Sequence, residues 1–182
     1  MRWGRRELIA GASACLGLYV AGRVTPARAE SDDARARPFL GTYQYAGGKS
    51  EQDKAYEAVE AAIADLNDMI QGIARKRLRD SATASPRFLI DVERDRLVLG
   101  PPEHTIDAPL DGSARTWSGP YGGLYKVSYQ IGDTIVQRIK GVVNGSDTRK
   151  VFRRTGDRMT ISITINHSML SGQLRYRHTY RS

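Results

Sequence analysis

Three histidines stand outside the first 29 residues, His104, His167 and His178, and no two of them are spaced as metal ligands are. His167 falls at a turn beside Ser168, where solvent is enough to account for it. His178 alternates with Tyr176 and Tyr180, so it belongs to a Tyr/His wall, with a ligand or acid–base group as the alternative. Asp91, Glu93 and Asp95 alternate around a tight turn, the pattern of a solvated hairpin, with a cation site as the alternative. Ser118 precedes Pro120 and lacks the Gly-x-Ser-x-Gly frame of a nucleophile elbow. Tyr121-Gly122-Gly123 is followed by neither Lys-Ser/Thr nor a helix, so it is no phosphate loop. These residue types predict a non-catalytic chain with no metal and no cofactor.

Binding chemistry has stronger candidates. The loop Trp117-Ser-Gly-Pro-Tyr121-Gly-Gly123 puts two large amphipathic rings among glycines. Such rings suit a ligand entrance or a partner surface, or alternatively a plug packed by Trp117. Tyr129, Tyr176 and His178 are candidates for the wall of an internal ligand site. Arg138, Lys140, Arg149, Arg153, Arg175 and Arg177 would share one face of a sheet, a surface for an anionic partner or simply a solvated basic face.

The elements that must position these residues are mostly strands. Residues 39–46 read as a short strand with Tyr43 and Tyr45 on one face. A helix over about 51–79 follows. Its start is a capping-box-like Ser50 with Asp53, and its stripe is Tyr56, Val59, Ile63, Leu66, Ile70 and Ile73. Acids crowd its first half and Arg75, Lys76, Arg77 and Arg79 its end, as the helix dipole favours, and Gly72 is a point for a kink. The spacing then predicts strands near 88–92, 97–99, 104–108, 114–117, 124–130, 134–140, 148–154, 158–166 and 173–180, joined by tight turns. Met159, Ile161, Ile163 and Ile165 alternate with polar residues. Leu174, Tyr176, His178 and Tyr180 oppose Arg175, Arg177 and Arg181. One sheet face is therefore apolar and aromatic, the other wet and basic. The fold class is α+β, mainly β: an antiparallel meander of about eight to ten strands closing into a small barrel, with one long amphipathic helix inserted after the first strand. The stripe either covers an open end of the barrel, giving a ligand a lid and a route, or packs outside the sheet.

Residues 1–29 have the build of a cleavable export signal. Arg2, Arg5 and Arg6 form a basic start, Leu8 to Val20 an apolar run, and Ala27-Arg28-Ala29 a small-x-small site. The run is shorter than the roughly 20 residues a membrane span needs. Arg5-Arg6 leaves twin-arginine export open, and Cys15 after Ala12-Ser13-Ala14 leaves a lipoprotein open. Removing this segment takes five arginines and one glutamate from a chain of 28 basic and 20 acidic residues. The remaining 23 basic and 19 acidic residues reduce the net charge from +8 to +4, and the only cysteine goes with the signal. Thiol chemistry is excluded, and nucleic acid is not an expected partner of a chain exported to the periplasm or secreted. Residues 30–38 read as a flexible leader and 39–182 as one domain.

Gly41-Thr42-Tyr43, the run of hairpins and the closing strand Leu174-Arg-Tyr-Arg-His-Thr-Tyr180 resemble the lipocalin-like (calycin-like) small barrels of exported bacterial proteins. The lipocalin Gly-x-Trp is Gly-x-Tyr here, and the long helix follows the first strand. The resemblance covers residues 39–46 and 87–181. It implies a barrel interior that holds a small apolar or lipid-like molecule without catalysis, and Trp117 and Tyr121 would then stand at the mouth with Tyr129, Tyr176 and His178 inside. The other expectation is an envelope interaction or structural protein whose basic face, Arg138, Lys140, Arg153, Arg175 and Arg177, binds anionic lipid or glycan. The oligomeric state is not legible.

Overall fold

A computed structural model describes residues 27–119, 122–143 and 145–182; residues 1–26 of the expected export signal, Pro120, Tyr121 and Asn144 lie outside it. Among the described residues ten antiparallel strands follow one another as a meander. They are β1 Gly41–Tyr45, β2 Arg87–Glu93, β3 Arg96–Gly100, β4 Ile106–Pro109, β5 Arg115–Ser118, β6 Leu124–Ile131, β7 Ile135–Gly141, β8 Asp147–Thr155, β9 Arg158–Asn166 and β10 Leu174–Arg181. Their spatial order is β4-β3-β2-β1-β10-β9-β8-β7-β6-β5, so the first strand pairs with the last and the sheet nearly closes into the expected barrel.

Closure is completed by side chains, because the edge strands β4 and β5 do not pair. The hydroxyl of buried Tyr129 donates to the carbonyl of Ile106 on β4, at 2.8 Å, and accepts from Nε2 of buried Gln137, at 3.0 Å. Buried edges left without such partners cost free energy, so this chain of bonds, together with the ion pair of Arg115 on β5 with Asp107 on β4, holds the seam. Burial and loss of water drive the pKa of Tyr129 well above its usual range, so it stays a neutral donor.

The alternation read from the last strands is realised. Met159, Ile161, Ile163, Ile165, Leu174 and Tyr180 are buried inward, while Arg175, Arg177 and Arg181 face out. Thr179 lies on the outward face and is nevertheless buried, because a helix covers it.

The single helix expected over 51–79 is two helices, α2 Gly48–Ile63 and α3 Asp68–Ala82. Asn67 causes the break: its side chain accepts from Ile70 N at 3.0 Å and caps a new helix. Leu66 keeps the stripe continuous from within the link, packed against the core, which is why the periodicity conceals the break. Gly72 lies inside α3, where no interruption falls. Ser50 is likewise inside α2, whose start at Gly47 has no side-chain cap. The helices fold back on each other. Glu60 meets Arg75 at 2.9 Å and Arg79 at 2.8 Å, and Gln52 bonds the Ala82 carbonyl and the Ala84 amide. The Glu60 pairs are half-exposed, so each is worth only about 0.2–1 kcal/mol.

In a meander, alternate connections lie at the same end. The α2–α3 hairpin joins β1 to β2, so it stands with the β3–β4, β5–β6, β7–β8 and β9–β10 turns over one mouth of the barrel. The carboxylate of Glu51 fastens it, accepting from Thr179 N and Thr179 Oγ1, both at 2.7 Å. Charge-assisted bonds of this length are the stronger kind.

Near the opposite end, the last residues of the expected export signal (27–29), the expected flexible leader (30–38) and the first residue of the expected strand (39) form helix α1, Ala27–Ala36, and a 3₁₀ turn, Arg37–Phe39. Asp32–Arg35 and Asp33–Arg37 pair along α1, while Ala36 and Phe39 are buried in the core. Burial of these two side chains gives a polar stretch an anchor that composition alone did not reveal. Tyr43 donates to the Phe39 carbonyl at 2.6 Å, and Arg154 bonds the Pro38 carbonyl.

Tyr129→Phe should remove the seam donor and leave the Gln137 amide and Ile106 carbonyl unsatisfied. A loss of about 1–3 kcal/mol in urea unfolding, with an unchanged slope, is expected; stability equal to wild type would show that the seam is held by other means.

Candidate functional site

Antiparallel pairing brings residues of successive strands level on the same face. On the inner face, Val127, Ile139, Thr148, Ile165 and Leu174 form the row nearest the covered mouth. The next row is Tyr129, Gln137, Lys150, Ile163 and Tyr176. Below it come Ile131, Ile135, Phe152, Ile161 and His178. A lysine thus stands in the middle of the barrel wall.

The rows enclose a cavity of about 560 Å³. Phe88, Ile161, Ile163 and Tyr180 supply apolar wall, and Lys150, Tyr176 and His178 supply polar groups. It opens between the end of α3 (Ser81, Thr83), the β3–β4 turn (Pro101, His104) and Trp117 to Gly119. A second space of about 480 Å³ lies under α3, lined by Leu66, Ile70, Ile73, Leu78 and Tyr125. Ser81 lines both.

Lys150 was missed in the sequence, although a signal for it existed. Phe152 points inward two residues later on the same strand, so Lys150 does too, whereas Arg149 and Arg153 point out. Its partial exposure is to the cavity and not to bulk water. No hydrogen bond or ion pair engages its amine among the described residues, and burial lowers its pKa.

His178 is buried and neither of its ring nitrogens has a hydrogen-bond partner. Burial is the largest influence on it and lowers its pKa. Glu51 and the Ala82 carbonyl act in the opposite sense, while Lys150 adds to the lowering. Tyr45 packs edge-on to the ring at 5.9 Å and Tyr176 lies at 5.3 Å. Tyr176 donates to the Ser81 carbonyl at 3.0 Å, tying the wall to α3, and burial pushes its hydroxyl up to about 12.

The predicted site residues divide. Tyr176 and His178 line the cavity and Trp117 stands at its opening. Trp117 also packs against Tyr125 at 5.6 Å, so entrance and plug are both served by one ring. A Cβ on Gly119 would come within 2.6 Å of the Tyr125 ring and 2.7 Å of Trp117, so only glycine lets this pair sit against the loop backbone. Tyr121 lies outside the described residues. Tyr129 points inward, but its hydroxyl is consumed at the seam and it does not line the cavity.

Arg138, Lys140, Arg153, Arg175 and Arg177 are all exposed on the outer face. Arg138 lies directly opposite Arg149, and Thr164 links Arg149 to Arg175 in one row. Lys140 faces Asp147, Arg153 faces Thr160, and Arg177 is 3.9 Å from Glu51. The described residues contain no cluster of His, Cys, Asp or Glu that could hold a metal, and no helix long and apolar enough to cross a membrane.

No protein-family profile matches this chain, and no curated protein matches it in sequence. Solved structures do share its fold. Apo lipid binding protein 8 of Caenorhabditis elegans superposes with a TM-score of 0.51 at 9% identity, over 80% of this chain and 96% of that one. Secretory abundant heat soluble protein 4 of Ramazzottius varieornatus gives 0.51 at 19% identity, over 80% and 94%. The fold these structures share with the chain is a calycin-like β-barrel.

The lowered pKa of His178 carries a sign. The native ring stays neutral while the unfolded chain takes up a proton below its ordinary 6.5. Stability from this group is present in full above that value and is lost as pH falls below it, until the native ring also titrates. Thermal unfolding between pH 7.5 and 5 should therefore show a steeper acid loss for wild type than for His178→Leu; matching slopes would contradict the assigned environment.

Proposed function

We propose that this chain is an exported, non-catalytic binding protein that holds one small, mainly apolar or lipid-like molecule inside its barrel. The observation that carries the reading is the internal cavity, about 560 Å³ with an apolar and aromatic wall and polar groups that have no partner in the protein. Its size falls within the roughly 300–1,000 Å³ of small-molecule sites, and an apolar wall with few polar groups is their usual composition. The ligand's chain would lie along Phe88, Ile161 and Ile163, with its polar end at Lys150 and His178. The α2–α3 hairpin would act as lid, and Trp117 would flank the entrance. Export rests on the basic start, apolar run and Ala-Arg-Ala site of residues 1–29.

A second reading concerns the outer face. Like charges placed directly opposite each other on a sheet are destabilising, and Arg138 with Arg149 is such a pair. An anionic envelope lipid or glycan would relieve it.

Two measurements test these readings. A fluorescent apolar probe should saturate at one per chain and be displaced by medium-chain alcohols. Ile163→Trp, which fills the cavity, should weaken the probe about tenfold or more, a penalty of about 1.4 kcal/mol. Absence of saturable binding, or binding indifferent to the filling, would dismiss the internal site. For the outer face, retention on anionic vesicles or acidic polysaccharide should fall steeply with salt and drop in Arg138→Gln/Arg149→Gln; salt-independent or absent retention would dismiss it.

A further inference from the structure

Of the six lysines, Lys49, Lys54, Lys76, Lys126 and Lys140 are exposed, whereas Lys150 faces the cavity. Long charged side chains usually carry their heads to water. Lys150 has no such route: it is central in a wall of paired strands, level with Gln137 on one side and Ile163 on the other. The Gln137 amide is already bonded to Tyr129, and no acid reaches the Lys150 amine among the described residues. An inward amine with no partner in the protein lacks a structural reason to be there.

We propose that Lys150 is a covalent capture site, its amine condensing with the carbonyl carbon of an apolar aldehyde held in the barrel to form an imine. The inference rests on the internal site proposed above and names the chemical class of its ligand. The nitrogen lone pair attacks the carbonyl carbon; the C–N bond forms and the carbonyl π pair passes to oxygen, which takes up a proton. The carbinolamine then loses its N–H proton, C=N forms, and the oxygen departs with two protons as water. Amine and aldehyde give imine and water, with no oxidant, reductant or further reactant. The attacking species is the neutral amine, and the desolvation that lowers the pKa of Lys150 favours that form. The neighbouring His178 imidazole, which feels the charge of Lys150 and has the Ala82 carbonyl on its other side, is placed to carry the transferred proton. The apolar wall of Phe88, Ile161, Ile163 and Tyr180 limits the water that would hydrolyse the product. A surface lysine has none of these advantages; Lys49, for one, is paired with Asp53 at 2.6 Å and its pKa is raised.

The test is to incubate the chain with one equivalent of decanal, reduce with borohydride and map the adduct by mass spectrometry, while measuring decanol and decanoate by displacement of the apolar probe. One decyl group is expected, on Lys150, with the five exposed lysines unmodified, and Lys150→Met should lose the adduct. Because the map on the unaltered chain already locates the adduct, the outcome stands even where Lys150→Met does not fold. Decanol binding without an adduct, or with decyl groups spread over surface lysines, would overturn the capture proposal and leave the internal site standing. Decanoate binding that requires Lys150, with no trapped decanal, would assign the amine to an ion pair and likewise overturn it. Failure of decanol and decanal alike would sink both.

Discussion

A meander has two free edges, and in this chain they meet without a ladder. Strands β4 and β5 face each other across the seam, where Arg115 of β5 pairs with Asp107 of β4, and inside the barrel the Tyr129 hydroxyl on β6 reaches the Ile106 carbonyl on β4. Gln137 holds that hydroxyl from the opposite side. The interior depends on this tie, because closure makes the inner face of the sheet an enclosed space. It also depends on the hydroxyl remaining a neutral donor, which its burial ensures. The same residue illustrates a division of labour along one inner row: Tyr129 and Gln137 satisfy each other and hold the wall, while Lys150, next in line, is left without a partner.

The two ends of the barrel are treated differently. Near one, Ala36 and Phe39 bury into the core and Tyr43 and Arg154 bond the backbone beside them. At the other, the carboxylate of Glu51 on Thr179 and the Tyr176 hydroxyl on the Ser81 carbonyl tie the α2–α3 hairpin to the barrel, and Tyr56 of α2 bonds Thr83 at the end of α3. Apolar burial holds this second cover as well, with Ala55, Val59, Ile63 and Ala82 in the core and Leu66 and Leu78 packed against it. The entrance beside Trp117, the β3–β4 turn and the end of α3 lies at this end.

Much of this was legible in the residue order. The period-two pattern of Met159 to Ile165 and of Leu174 to Tyr180 identified strands and their inward faces, because side-chain parity is a property of the local backbone. The helix break was not legible. Leu66 continues the apolar stripe through the link, and the capping bond from Asn67 to Ile70 looks in sequence like any polar residue on a helix. The first helix was hidden as well, since its polar residues gain an anchor only through the burial of Ala36 and Phe39.

Residue order by itself therefore determined a strand-rich barrel, an amphipathic helical segment after the first strand, the outward Arg138, Arg149 and Arg175, and the inward Tyr176 and His178. Tertiary structure alone decided that Arg138 and Arg149 stand opposite each other, that Tyr129 is spent on the seam, that the hairpin covers a mouth, and that Lys150 faces a cavity without an ion pair. The reason is the range of the interactions. Parity depends on neighbours along the chain, whereas register, closure and the absence of a counter-charge depend on residues tens of positions away.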